Sequence, residues 1–191
     1  MDNQNIENNA DIQEQKTINI VGTNNRYMMK KITREKTTEP KKREVSKTWT
    51  FSEDYFNYNE QIKIINDISC NNLENSVTKI AIQQINKKIS SYKQQDINKK
   101  MLNNEQFIDF NCVIHKMIES ELKCRYCKCE MSILYDITRE MKQWSVDRVD
   151  NDKGHNKDNF HLACLDCNLK RRRKTDEKFL FTKQLNIIKQ K

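Results

Sequence analysis

Two cysteine pairs of identical spacing, Cys124-Arg-Tyr-Cys127 and Cys164-Leu-Asp-Cys167, lie about 36 residues apart in a chain of 191. A C-x2-C pair turns the backbone so that both sulfurs converge, and two such turns complete a closed tetrahedral zinc site. Cys124, Cys127, Cys164 and Cys167 are therefore expected to hold one structural zinc. Cys129 follows the first pair closely and stands as a spectator or substitute ligand, while Cys70 and Cys112 read as ordinary small buried residues.

Two glycines, one proline and an apolar fraction of 36% leave room for one ordinary domain, or for a small domain with a helical partner and a loose tail. No apolar signal-peptide core opens the chain and no uncharged apolar run is long enough to span a bilayer. A soluble intracellular protein without membrane contact is expected, so the seven cysteines are thiols or metal ligands rather than disulfides. The net charge of +8 favours a polyanionic partner such as nucleic acid. The excess is concentrated from Asn168 onward, where nine Lys and Arg face two acidic residues.

Residues 1–46 are rich in Asn, Gln, Lys and Glu and are expected to form a disordered polar and basic arm, because they cannot bury enough apolar surface to offset the entropy of ordering. Its Lys41-Lys-Arg43 cluster suits a solvated linker, a nuclear localisation signal or a phosphate-contacting tail. Residues 47–121 read as a helical region. Ile62, Ile64, Ile65 and Ile68 mark one helix, a second runs from about Val77 to Tyr92, and a third spans Glu105 to Leu122. Lys87, Lys88 and Lys93 would form a solvated face of the second, or meet phosphate; His115 in the third is assigned a structural role.

Between the cysteine pairs, Ile133 to Tyr135, Trp144 to Val149 and Phe160 to Ala163 are strand candidates, and Asn151-Asp-Lys-Gly154 carries turn chemistry. Leu165 to Arg173 reads as a helix. The zinc would thus fasten the first knuckle to the start of that helix. The expected fold class is α+β: a helical N-terminal region, then a zinc-pinned module over 122–175, then a basic tail over 176–191.

These residues in combination resemble the HNH endonuclease superfamily, whose ββα-metal core is often pinned by four cysteines. The pattern is C-x2-C, Asp147-Arg148, Gly154, Asn159, then C-x2-C-Asn168 with trailing Lys and Arg. Gln143-Trp-Ser-Val-Asp-Arg-Val-Asp-Asn with Gly154-His155-Asn156 is similar to a variant found in phages and large DNA viruses, which would put the protein in a host nucleus or cytoplasm. The resemblance implies a DNA endonuclease that hydrolyses phosphodiesters. Asp147 and Asn168 would hold a catalytic divalent cation such as Mg, and Asn159 would orient the general base through the loop backbone. A hard, oxygen-ligated cation stabilises charge developing on phosphate while a base activates water.

The family's general-base histidine falls on Arg148, and a guanidinium that stays protonated cannot take a proton from water. His155 is the preferred replacement; His161 facing the metal, or hydroxide formed on the metal, are the other repairs. Arg148 would instead clamp the scissile phosphate. Asp150 and Asp152 could add carboxylate oxygens or simply solvate the loop. Lys170, Arg171, Arg172, Arg173 and Lys174 would hold the DNA backbone through contacts that ignore sequence. One module cuts one strand per visit, which leaves a homodimer open, and the helical region could bind another protein. The competing reading is a zinc-containing DNA-binding protein that kept the fold and lost catalysis.

Overall fold

A computed structural model describes residues 40–185. Five helices and a two-stranded antiparallel sheet follow one another: α1 (Tyr58–Ser69), α2 (Ser76–Asn98), α3 (Phe110–Glu119), β1 (Trp144–Arg148), β2 (Phe160–Cys164), α4 (Leu165–Arg171) and α5 (Asp176–Gln184). Most of the expected polar arm, and Lys189 and Lys191 of the expected basic tail, lie outside the described residues.

The arm's last residues are not a linker. Lys42 forms a bridge with Ile137, and Arg43 donates from Nη1 to the Tyr135 carbonyl at 3.0 Å and from Nη2 to Gln84 Oε1 at 2.9 Å. Its guanidinium also lies 4.2 Å from the centroid of the Tyr135 ring, a cation–π contact. Part of the Lys41-Lys-Arg43 cluster is therefore structural.

Ile64, Ile65 and Ile68 share the buried face of α1, as their spacing requires. Gln61 sits on that face, 1% exposed, and explains why residues 133–135 do not form the expected strand. Its Oε1 accepts from the Ile133 and Leu134 backbone N–H groups, and its Nε2 donates to the Leu134 carbonyl. A side-chain amide thus takes the place of a neighbouring strand. Only Ser132 bridges Gln143.

Capped by Asn75, α2 runs beyond its expected end to Asn98. Lys88 turns inward instead of lying on a solvated face: its Nζ donates to the Trp144 carbonyl and lies 4.8 Å from the Trp144 ring centroid, and burial pushes its pKa down to about 7. The third helix is shorter than expected. Asp109 caps it through the Cys112 N–H, and the preceding residues pair instead with the loop ahead of β2, Phe107 with Asn156 and the Ile108 N–H with the His155 carbonyl.

The sheet is a single hairpin in the register Trp144↔Cys164 through Asp147↔His161 to Arg148↔Phe160. Both outer edges are partly covered. The Val146 N–H donates to Tyr92 Oη of α2, and the Arg125 N–H of the first knuckle donates to the Leu162 carbonyl. The hairpin's apolar residues belong to the same core as the helices, which extends from Ile64 to Phe179 and contains Trp144 at 0% exposure. Each fully buried large apolar side chain contributes roughly 1.5–3 kcal/mol, so the helical region and the cysteine module stabilise each other.

The last two helices also differ from expectation. α4 stops at Arg171 because Arg172 adopts φ 54°, a left-handed conformation unfavourable for a side chain with a Cβ. Residues 176–184 form α5 rather than a loose tail, anchored by Phe179, whose ring meets Tyr126 edge-on at 4.8 Å.

Candidate functional site

The Sγ atoms of Cys124, Cys127, Cys164 and Cys167 lie within 4.8 Å of one another and could hold a metal ion. The Cys127–Cys164 separation of 3.8 Å matches the edge of a thiolate tetrahedron around zinc, given Zn–S distances of about 2.3 Å. Cys164 ends β2 and also caps α4, accepting from the Cys167 N–H at 3.4 Å, so the cluster ties the sheet, the helix and the first knuckle together. Three of the thiols are buried and Cys127 is exposed.

Alternation along the hairpin places Ser145 and Asp147 of β1 on the same face as Ala163 and His161 of β2. α4 covers that face. Asn168 donates from Nδ2 to Ser145 Oγ and to the Val146 carbonyl, both at 3.1 Å, and Arg171 reaches Asp147 Oδ1 at 3.3 Å. Asp147 Oδ2 accepts from Tyr126 Oη at 2.5 Å, and the same hydroxyl lies 2.8 Å from Asp176 Oδ1. The other Asp176 oxygen lies 3.6 Å from Arg125 and 3.8 Å from His161 Nε2. Asp147, Tyr126, Asp176, His161, Arg125 and Arg171 thus form one partly buried network.

Burial raises the Asp147 pKa, while the Tyr126 hydroxyl and the Arg171 guanidinium pull it down. Burial and the neighbouring carboxylate hold Tyr126 protonated, as the donor. His161 is lowered, chiefly by burial, which leaves its imidazole neutral near pH 7 and able to accept a proton.

Other expected site residues have different surroundings. Arg148 turns to the loop and donates to the Lys153 carbonyl at 2.9 Å. Asn159 fixes that loop: its Oδ1 accepts from the Asp150 N–H, and its Nδ2 donates to the Asp150 and Gly154 carbonyls. Asp150 Oδ1 caps the turn through the Asp152 N–H. His155 is buried against α2, its Nδ1 2.7 Å from Asp96 Oδ1, its backbone N–H 2.6 Å from Asp96 Oδ2 and its ring 4.8 Å from Tyr92. These contacts make it a strut between loop and helix rather than a free base. A Cβ on Gly154 would fall 2.6 Å from the Met101 carbonyl and 2.9 Å from Asp96, so the close approach requires glycine.

The basic run is divided. Arg171 is 1% exposed and also donates to the Arg148 and Val149 carbonyls, and Lys170 pairs with Asp166 at 2.8 Å. Arg172, Arg173 and Lys174 remain exposed. His115 faces solvent. No family model, curated protein or solved structure matches the chain. No helix among the described residues is long and apolar enough to cross a membrane.

Sequence reasoning missed Asp96, Tyr126 and Asp176. Asp96 had a signal, since it continues the stripe of buried Ile85 and Ile89 and half-buried Tyr92 at helical spacing. Tyr126 lies inside a knuckle and Asp176 beyond α4, and spacing alone links neither to Asp147.

Burial also lowers the pKa of His155, so the unfolded chain takes up its proton first. Its contribution to stability is present above the ordinary histidine pKa of about 6.5 and is lost as pH falls from there through the lower folded-state value. Thermal melts at pH 7.5 and pH 5.5 should show a larger loss for wild type than for His155→Gln. Equal losses would contradict the buried-strut assignment; His161 has the same sign but is common to both proteins.

Proposed function

We propose that this chain is a DNA endonuclease of the HNH type, hydrolysing phosphodiester bonds at the hairpin–α4 face, with the four cysteines around a structural zinc. The carrying observation is the rung Asp147↔His161 on the face covered by α4. Directly opposed cross-strand residues have Cβ atoms about 4.5–5.5 Å apart, so a carboxylate and a neutral imidazole share one small site. His161 is the general base in this reading: it accepts a proton from the attacking water, and Asp176 beside Nε2 favours the imidazolium that results. The Asn159-pinned loop and the strand–loop–strand–helix order also support the reading.

A divalent cation at Asp147 and Asn168 is a poorer fit. Both Asp147 oxygens are engaged, one of them by a guanidinium, while Asn168 holds Ser145 and the Val146 carbonyl through its amide nitrogen and would offer a cation only its oxygen. As arranged, the donors suit Arg171 better than a hard cation, which would have to displace it.

The same ion pair favours a second reading, a zinc-pinned DNA-binding protein without catalysis, in which Arg171 permanently neutralises Asp147. Incubating the protein with supercoiled plasmid at low salt, with Mg, Mn, Ni or EDTA, separates the two. Nicking that falls at least about 100-fold in His161→Ala and survives in His155→Gln is expected. A folded, metal-loaded protein that shifts DNA in a gel but never nicks it would establish the second reading.

A further inference from the structure

We infer that the DNA backbone approaches the site through a basic concavity on the α3 and first-knuckle side, rather than along the C-terminal basic run. This rests on the nucleic-acid reading above and specifies the substrate's path. The concavity measures about 450 Å³ and is lined by Lys116 from α3, by Lys123, Arg125 and Lys128 around the first knuckle, and by His161. His161 belongs both to this wall and to the rung with Asp147. A phosphate seated among these cations therefore lies beside the one imidazole that shares Asp147's face.

Lys116, Lys123 and Arg125 are 33%, 41% and 41% exposed at their side chains, accessible but anchored. Glu119 and Glu121 in the same wall pair with Lys116 and Lys123, both glutamates well exposed. Exposed ion pairs contribute little, so a phosphate can take over their lysines. The C-terminal run offers less than its sequence suggests, because Arg171 is buried in the Asp147 network.

The test is binding of a fluorescent DNA duplex in EDTA, titrated across salt concentrations. The triple variant Lys116→Ala, Lys123→Ala, Lys128→Ala is compared with the charge-matched triple Arg172→Ala, Arg173→Ala, Lys178→Ala, all at exposed or half-exposed positions. The first triple should bind at least about tenfold more weakly and lower the log–log salt slope by about 2 to 3, against a clearly smaller change in the second. A loss in the second triple equal to or greater than that in the first would overturn the path. Glu119→Gln with Glu121→Gln should tighten binding, which a folding defect cannot imitate; unchanged or weaker binding would also overturn it. If the wild type does not bind DNA at low salt, the nucleic-acid reading itself falls. Nicking by the wild type with no preference between the triples would remove only the path.

Discussion

Stripping the metal from the four-cysteine cluster should abolish cooperative folding of the hairpin and α4, and Cys164→Ser should do the same without a chelator. Structural zinc binding is worth about 10–16 kcal/mol at neutral pH, as much as or more than the roughly 5–15 kcal/mol that stabilises a whole domain. Cys164 concentrates the loss, because it is at once a candidate ligand, the end of β2 and the cap of α4. Trp144 reports the collapse: it is 0% exposed, pairs directly with Cys164, and its fluorescence should shift to that of a solvated indole. Since the core continues into α1, α2 and α3, helical circular dichroism should fall only in part. A metal-free Cys164→Ser protein with wild-type fluorescence and melting would show that the cluster does not support the fold.

Replacing Asp147 with Ala should destabilise the protein by about 3–5 kcal/mol, the usual cost of leaving a buried ionic partner uncompensated. Arg171 is 1% exposed and would keep two carbonyl acceptors but lose its counter-charge, while Tyr126 would lose one of its two carboxylate partners. Combining Asp147→Ala with Arg171→Met should cost less than the sum of the two single variants, because it removes the orphaned charge. Denaturant melts of the four proteins measure this. Additive effects, or Asp147→Ala within about 1 kcal/mol of wild type, would contradict the buried pair. Loss of nicking in Asp147→Ala alone would therefore not identify a catalytic carboxylate. Asp147→Asn, which keeps the shape and one acceptor oxygen while its amide nitrogen can donate to the Tyr126 hydroxyl, is the better probe of chemistry.

The helices and the hairpin were legible in the sequence because they follow from local patterning. Isoleucines at helical spacing gave α1 and α2, and the turn chemistry of 151–154 separated β1 from β2. The cysteine cluster was legible because metal ligation imposes a spacing that chance seldom repeats. What was not legible depends on long-range hydrogen bonding. Gln61 displaces a strand 72 residues away, and nothing in the pattern of 133–135 reveals it. His155 looked like a spare base because histidine chemistry is visible in sequence, whereas its sequestration by Asp96, 59 residues earlier, is not. The interchange of roles between Arg171, expected on DNA but buried, and His161, beside the carboxylate, follows from strand register and helix placement, which only the fold supplies.

Cys127 is the exposed member of an otherwise buried tetrad, and with zinc bound this asymmetry would make it the entrance for ligand exchange. A competing thiol or an oxidant would meet it before the other three sulfurs, so with zinc in the tetrad the first bond to open would be set by access rather than by intrinsic Zn–S strength. The lifetime of the folded module in a metal-poor or oxidising environment would then be a kinetic property of one doorway, even though its equilibrium stability would belong to all four ligands.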